Sequence, residues 1–163
     1  MQDSRERADQ PISGSQLKFA RELLSDFWDE AISLTRANNE ETGAIQGAEF
    51  APDKERYLET ERLGFIVSFT LRLAGRLVGY CLMFVSNHLH YPSTVWAVQD
   101  TLFVSKSYRG LGAVKFIKWI DSQLKGMSIN VVIRQVSSKL DYSRTLERMG
   151  YGAIETGFIR RLA

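Results

Sequence analysis

The chain has 163 residues, enough for one domain with a substantial core, and its 44% hydrophobic and 25% charged content is that of an ordinary globular protein. No apolar run approaches the ~18 residues that span a bilayer, and the single cysteine, Cys81, excludes an internal disulfide or a cysteine zinc cluster and favours a reducing compartment, taken here as the cytoplasm. The net charge of +2 hides an asymmetry, since residues 1–100 carry ten Lys/Arg against fifteen Asp/Glu and residues 101–163 carry eleven against four, which suits a polyanionic ligand on the later part, with a solvated surface or nucleic acid as the other readings.

Met1 to Gln10 is charged and lacks apolar periodicity, which predicts a flexible arm over residues 1–12 ahead of a single domain at 13–163. Ser13-Gly14-Ser15-Gln16 can cap a helix, and Leu17, Ala20, Leu24, Phe27, Ala31 and Leu34 then recur every three or four residues. Together they predict one long amphipathic helix ending near Asn38 and Asn39. Asn39 to Phe50 reads as a loop, and Pro52 to Leu58 as a short helix with proline in its first turn. Phe65 to Leu71 and Leu77 to Val85 alternate and form a hairpin around Ala74-Gly75. Asn87 to Thr94, with His88, His90, Tyr91 and Pro92, reads as a loop leading to a central strand, Val95 to Val104.

A basic glycine turn follows that strand, and then Ala113, Phe116, Ile117, Ile120 and Leu124 at helical spacing, with Gly126 as the stop. Ile129 to Val136 is another strand, Asp141 can cap a helix reaching Met149, and Tyr151 to Leu162 supplies one or two closing strands. The order is that of an α/β protein with a mixed sheet. Trp28, Trp96 and Trp119 fall on apolar faces and are read as packing.

The turn Arg109-Gly110-Leu111-Gly112-Ala113-Val114 carries the chemistry. Glycines let bare backbone N–H groups approach an anion, the start of a helix adds unpaired amides and the positive end of its dipole, and Arg109 adds a mobile cation. An ordinary strand-to-helix turn is the alternative. Two better-known phosphate loops do not occur, since neither Gly-x-x-x-x-Gly-Lys-Ser/Thr nor Gly-x-Gly-x-x-Gly is present.

At Arg109 to Val114 the sequence resembles the GCN5-related N-acetyltransferase (GNAT) superfamily, whose acetyl-CoA motif is Gln/Arg-x-x-Gly-x-Gly/Ala after a strand with an apolar end. Arg109 and Gly112 match, and Val114 stands where the family has a small residue. Gly75 to Tyr80 and Leu146 to Tyr151 extend the resemblance over roughly Phe65 to Leu162. It implies a GNAT-like, mostly antiparallel sheet flanked by helices with splayed central strands. The early first strand of that fold is not evident, Gln10 to Ser13 being the candidate.

The resemblance further implies acetyl-CoA as cosubstrate, no metal, and a cofactor site made of Leu102, Phe103, Val104, Arg109, Gly110, Leu111, Gly112, Ala113, Val114 and Ser137. The pantetheine arm is expected in the gap beside Val95 to Val104, with a backbone N–H of Phe103 or Val104 facing the thioester oxygen. The reaction is direct attack by an amine of a small molecule or protein in a ternary complex, which calls for a proton acceptor and an oxyanion donor.

For the acceptor of the proton, Asp100 stands alone in an apolar strand, where burial would make it a better base. A structural partner for a nearby Arg or His is the other reading. His90 and His88 sit two apart in a loop that could overhang the acceptor, His90 as a proton shuttle and His88 with Tyr91 as acceptor contacts. A solvent-exposed pair is the alternative, and a zinc site lacks further ligands. The family's thiolate-protonating tyrosine falls at Leu146, and Tyr142, one turn earlier, could substitute or be a core aromatic. A non-catalytic coenzyme A-binding or regulatory module is the second functional reading, a nucleic-acid-modifying protein the third. A homodimer is left open.

Overall fold

The hairpin of β2 (Ile66–Leu73) and β3 (Arg76–His88) sits at the centre of a five-stranded sheet whose order is β1-β2-β3-β4-β5. The structure is a computed structural model that describes residues 17–43, 45, 48–160 and 162. The expected arm over residues 1–12, the Ser13 to Gln16 cap and the Gln10 to Ser13 strand candidate lie outside the described residues. All neighbouring strands are antiparallel except β4 (Tyr91–Val104) and β5 (Val131–Ile133), which are parallel. Ala74 and Gly75 both have positive φ, 48° and 84°, the geometry whose twist matches a two-residue hairpin.

Odd-numbered residues of β2, Val67, Phe69, Leu71 and Leu73, pack with Phe116, Ile120 and Leu124 of helix α3 (Leu111–Gly126) on one face of the sheet. Helix α1 (Leu24–Thr42) covers the other face through Leu24, Phe27 and Ala31 against Leu77, Tyr80, Leu82 and Phe103. The even positions of β2 beneath α1 are polar, and each has a partner. Ser68 donates to Glu61 of α2 (Lys54–Arg62), Thr70 to Glu22, and Arg72 pairs with Glu22 and Glu30 at 2.9 Å each.

The sequence and the structure part company in five places. The expected helix from Leu17 is a strand, β1 (Leu17–Arg21), followed by α1, because the outer edge of β2 pairs with it and Leu17 and Phe19 pack on the α3-side core. The apparent helical spacing of Leu17, Ala20 and Leu24 spans that junction. Helix α1 begins instead where Glu61 of α2 accepts from the Leu24 amide at 2.8 Å, a carboxylate set at a helix N-terminus. It continues to Thr42, where Gly43 at φ 55° donates back to Asn39.

The expected loop at Asn87 to Thr94 is a hairpin tip, because β3 and β4 keep pairing as far as His88 and Tyr91. Strand β5 is three residues rather than eight. Helix α3 includes Gly126, and the stop falls at Met127 and Ser128, the latter at φ 62°. Tyr151 to Arg160 and Leu162 form no strand. The last helix, α4 (Ser143–Arg148), is as expected, with Asp141 accepting from the Ser143 amide at 2.8 Å.

Candidate active site

Strands β4 and β5 pair only over Trp96–Val131, Ala97–Val132 and Val98–Ile133 and then separate. The reason lies in β4. Its register against β3 shifts between Leu82 and Met83, which face Thr101 and Gln99, so that Asp100 is left over as a β-bulge. From there Gln99 to Leu102 on one side and Gln135 to Ser138 on the other line a cleft of about 830 Å³, closed by α1, Phe50 to Pro52 and Tyr57. The side-chain amide of Gln99 spans the fork, donating to Gln135 O at 3.0 Å and to the Tyr142 hydroxyl at 3.2 Å.

The bulge also decides which amides face the gap. The Ser105 amide donates to Val78 O at 2.8 Å. Antiparallel alternation therefore sends the amides of Phe103 and Thr101 to β3 and those of Leu102 and Val104 toward the open side. Of the two oxyanion donors expected from the resemblance, Phe103 is thus committed to the sheet and its ring lies in the α1-side core, while the Val104 amide is turned away from β3. Leu102 lines the cleft, as does Ser137.

Helix α3 starts at Leu111 after Gly110, whose φ of 73° and ψ of −122° disfavour any side chain. Among the described residues no side chain caps it, and Val114 donates to Gly110 O at 3.0 Å to close the first turn. The amides of Leu111, Gly112 and Ala113 are the orphan donors of the helix start. Beside this helix start lies a second hollow of about 190 Å³ bordered by Ser107, Arg109, Leu111, Gly112 and Lys115, with Leu17 and Tyr108.

Gly110 has nothing within 4 Å of the Cβ it lacks, so it leaves the approach clear. Gly112 does something else: its Cβ would lie 3.1 Å from Leu17 Cδ1, so its bareness seats β1. Arg109 is not the mobile cation expected. Its Nε donates to Val104 O at 2.8 Å, its Nη2 pairs with Glu41 at 2.5 Å, and its guanidinium lies 5.7 Å from the Phe103 ring centre.

Asp100 lines the cleft but is exposed, so the desolvated base suggested by its apolar neighbours is not what the bulge produces. Its Oδ2 accepts from Tyr57 at 3.2 Å and from Thr101 at 3.0 Å, and among the described residues no cation pairs with it. Burial first, then the charge and hydrogen bond of Asp100, push the Tyr57 hydroxyl up to about 12, so it stays a donor at neutral pH. Trp28 lines the same wall 5.7 Å from Tyr57, ring centre to ring centre, which makes it a site residue and not only packing. Tyr80 forms part of the floor, its hydroxyl 2.6 Å from Thr35.

Tyr142 lines the cleft, with its hydroxyl donating to Gln135 O at 3.1 Å while accepting from Gln99. Burial raises its pKa, opposed by Gln99 and Arg134. Leu146 is 6% exposed and belongs to the core. Behind the fork, Arg134 has a fully buried side chain held by Asp121 at 2.6 Å, Tyr151 at 2.8 Å and Gln99 at 3.2 Å.

His88, His90 and Tyr91 are not brought to the cleft. They cluster at the β3–β4 hairpin tip, where His88 stacks on Trp96 with ring centres 4.2 Å apart and accepts from the His90 amide at 3.1 Å. The residues that sequence reasoning missed are Tyr57, Trp28, Glu41 and Gln99. Only Tyr57 left a signal, as the one aromatic in the mostly charged helix Lys54–Arg62. Among the described residues no group of three or more His, Cys, Asp or Glu could hold a metal ion, and no helix is long and apolar enough to cross a membrane.

No family model matches the chain, and no curated protein matches its sequence. Solved structures do match its fold. An aminoglycoside acetyltransferase from an uncultured soil metagenomic sample superposes with a TM-score of 0.72 at 19% identity, over 91% of this chain and 97% of that one. The ribosomal-protein-alanine N-acetyltransferase of Brucella melitensis gives 0.68 at 17%, over 90% and 99%. A protein of Clostridium acetobutylicum described as a predicted acetyltransferase, solved with acetyl-CoA, gives 0.65 at 10%, over 89% and 96%.

Proposed function

We propose that this chain, which has the GNAT fold, is an acetyl-CoA-dependent N-acetyltransferase acting on an amine of a small molecule or protein. The observation that carries the reading is the parting of β4 from β5 after Val98 and Ile133, with the uncapped start of α3 beside it. A slot with free edge amides suits a pantetheine arm, and orphan helix amides beside Arg109 and Lys115 suit a diphosphate. When bound, acetyl-CoA supplies an acetyl group activated as a thioester.

The chain's own residues supply the rest. An amine attacks only when neutral, and the Asp100 carboxylate, open to the cleft and oriented by Tyr57, takes its proton directly or through one water. The amides of Leu102 and Val104 face the side where negative charge develops on the acyl oxygen. Trp28, Tyr57 and Phe50 give the acceptor a wall. A carboxylate with no cation beside it favours an acceptor bearing an ammonium group, in keeping with the aminoglycoside and protein-amine enzymes that share the fold.

Acetyl-CoA at about 100 times its Kd is expected to stabilise the native state by roughly 2.7 kcal/mol, a rise of about 5–10 °C in Tm for a chain of this size. Release of free thiol with a panel of amines then reports turnover. The absence of any Tm shift at millimolar acetyl-CoA overturns the reading.

A second reading, coenzyme A binding without turnover, draws on the buried Leu146 and on a Tyr142 proton already donated to Gln135. It predicts the shift in Tm with no thiol release.

A further inference from the structure

The last turn of α1 lies at the cleft beside the gap between β4 and β5, ion-paired on one side and in close contact on the other. On its inner face Asn38, Asn39, Thr42 and Gly43 line the cleft. From its outer face Glu41 reaches the loop before α3, with Oε2 2.5 Å from Arg109 Nη2 and Oε1 3.8 Å from Lys106 Nζ. At its end the Lys139 ammonium lies against Gly43, where a Cβ would meet it at 2.3 Å. Lys139 belongs to the stretch that follows β5, and Arg109 to the stretch that follows β4, so the turn touches both arms of the fork and is ion-paired to the β4 arm.

We infer that Glu41 is a built-in competitor for the cofactor's diphosphate: its carboxylate holds the cations beside the α3 start and thereby keeps the end of α1 down across the slot. The inference rests on the acyltransferase reading above. Arg109 is already anchored through Nε to Val104 O, so its free edge serves one anion at a time. A diphosphate placed on the orphan amides of Leu111 to Ala113 takes that edge. Glu41, 20% exposed, then faces a like charge and must leave. Because Asn38, Asn39 and Thr42 ride on the same turn, loading the cofactor reshapes the acceptor wall in one step, and Glu41 is a residue that couples the two sites.

The test is Glu41→Gln, which keeps size and helix propensity and removes the charge. Coenzyme A is expected to bind it about fivefold more tightly than wild type by calorimetry, the size of one partly exposed ion pair released in advance. S-acetyl-pantetheine, which carries no phosphate, is expected to gain far less than coenzyme A. Hydrogen exchange of residues 39–43 is expected to speed up in wild type when coenzyme A is added and to be fast in Glu41→Gln from the start. Circular dichroism verifies that the variant is folded.

Equal coenzyme A affinity in the two proteins overturns the inference alone, as does a gain of the same size for S-acetyl-pantetheine, which marks general loosening. Failure of both proteins to bind coenzyme A overturns the acyltransferase reading and this inference with it.

Discussion

Asp100 shows how a single extra residue in a strand can turn a carboxylate out into a cleft. Without the bulge the side chains of Gln99 and Thr101 would alternate around it in regular register; with it Asp100 is left unpaired against β3, turned to water, and held by two neutral hydroxyls. The expected outcome of Asp100→Asn is a fall in kcat of about 10²–10⁴ with unchanged affinity for acetyl-CoA. Tyr57→Phe loses about tenfold by freeing the carboxylate from its donor, and His90→Ala, at the hairpin tip, changes nothing measurable. Thiol release under saturating cofactor reads all three, and an Asp100→Asn protein at wild-type rate removes the role assigned to Asp100. The acid in an apolar run was visible in the sequence. Its exposure was not, because a bulge depends on the register of two strands and leaves no composition signal.

The elements were legible where local pattern and tertiary contact agree. The β2–β3 hairpin, the β4–loop–α3 unit and α4 follow from alternation, helical spacing and a turn pair with positive φ. The junction of β1 and α1 was not, since Leu17 and Phe19 are drawn into the sheet by the edge of β2, and the cap of α1 comes from Glu61, 37 residues away in sequence. The glycine turn before α3 was legible as a strand–turn–helix unit but not in what each glycine does. Gly110→Ala meets a backbone at φ 73° and is expected to cost about 1–3 kcal/mol and most of the coenzyme A affinity. Gly112→Ala only has to move the flexible end of Leu17 by a few tenths of an ångström, which the better helix propensity of alanine offsets, leaving Tm within about 2 °C of wild type. Thermal melts of the two variants with and without coenzyme A decide the matter, and equal damage from both refutes the distinction.

Across the whole molecule, charge does more internal work than the sequence totals suggest. Of the basic later part, Arg134 is buried in the network behind the fork and Arg109 is paired, so neither is a free surface cation. In the acidic earlier part, Arg72 joins β2 to the strand-to-helix junction at Glu22 and to α1 at Glu30. Hydrogen bonds from Arg72 hold the Glu22 carboxyl below its ordinary range against the opposing effect of burial, with Thr70 as a further donor. A depressed carboxyl stabilises the fold above its unfolded value of about 4.3 and loses that contribution as pH falls toward the folded value. Glu22→Gln is therefore expected to lower Tm by roughly 5 °C at pH 7 and by much less at pH 3. A pH-independent difference in the melting curves argues against the linkage. The fork itself has a cost in cohesion. Four strands form a continuous blade, and the backbone of β5 joins it through three paired residues and the adjacent exchange between Val95 and Asn130, the further ties across the fork being side-chain bonds from Gln99 to Gln135 and Tyr142 and from Arg134 to Gln99. A protein that makes room for a guest by leaving a seam unstitched lets the guest act as mortar, so residues 131–160, about the final fifth of this chain, stand to gain firmness from whatever fills the slot.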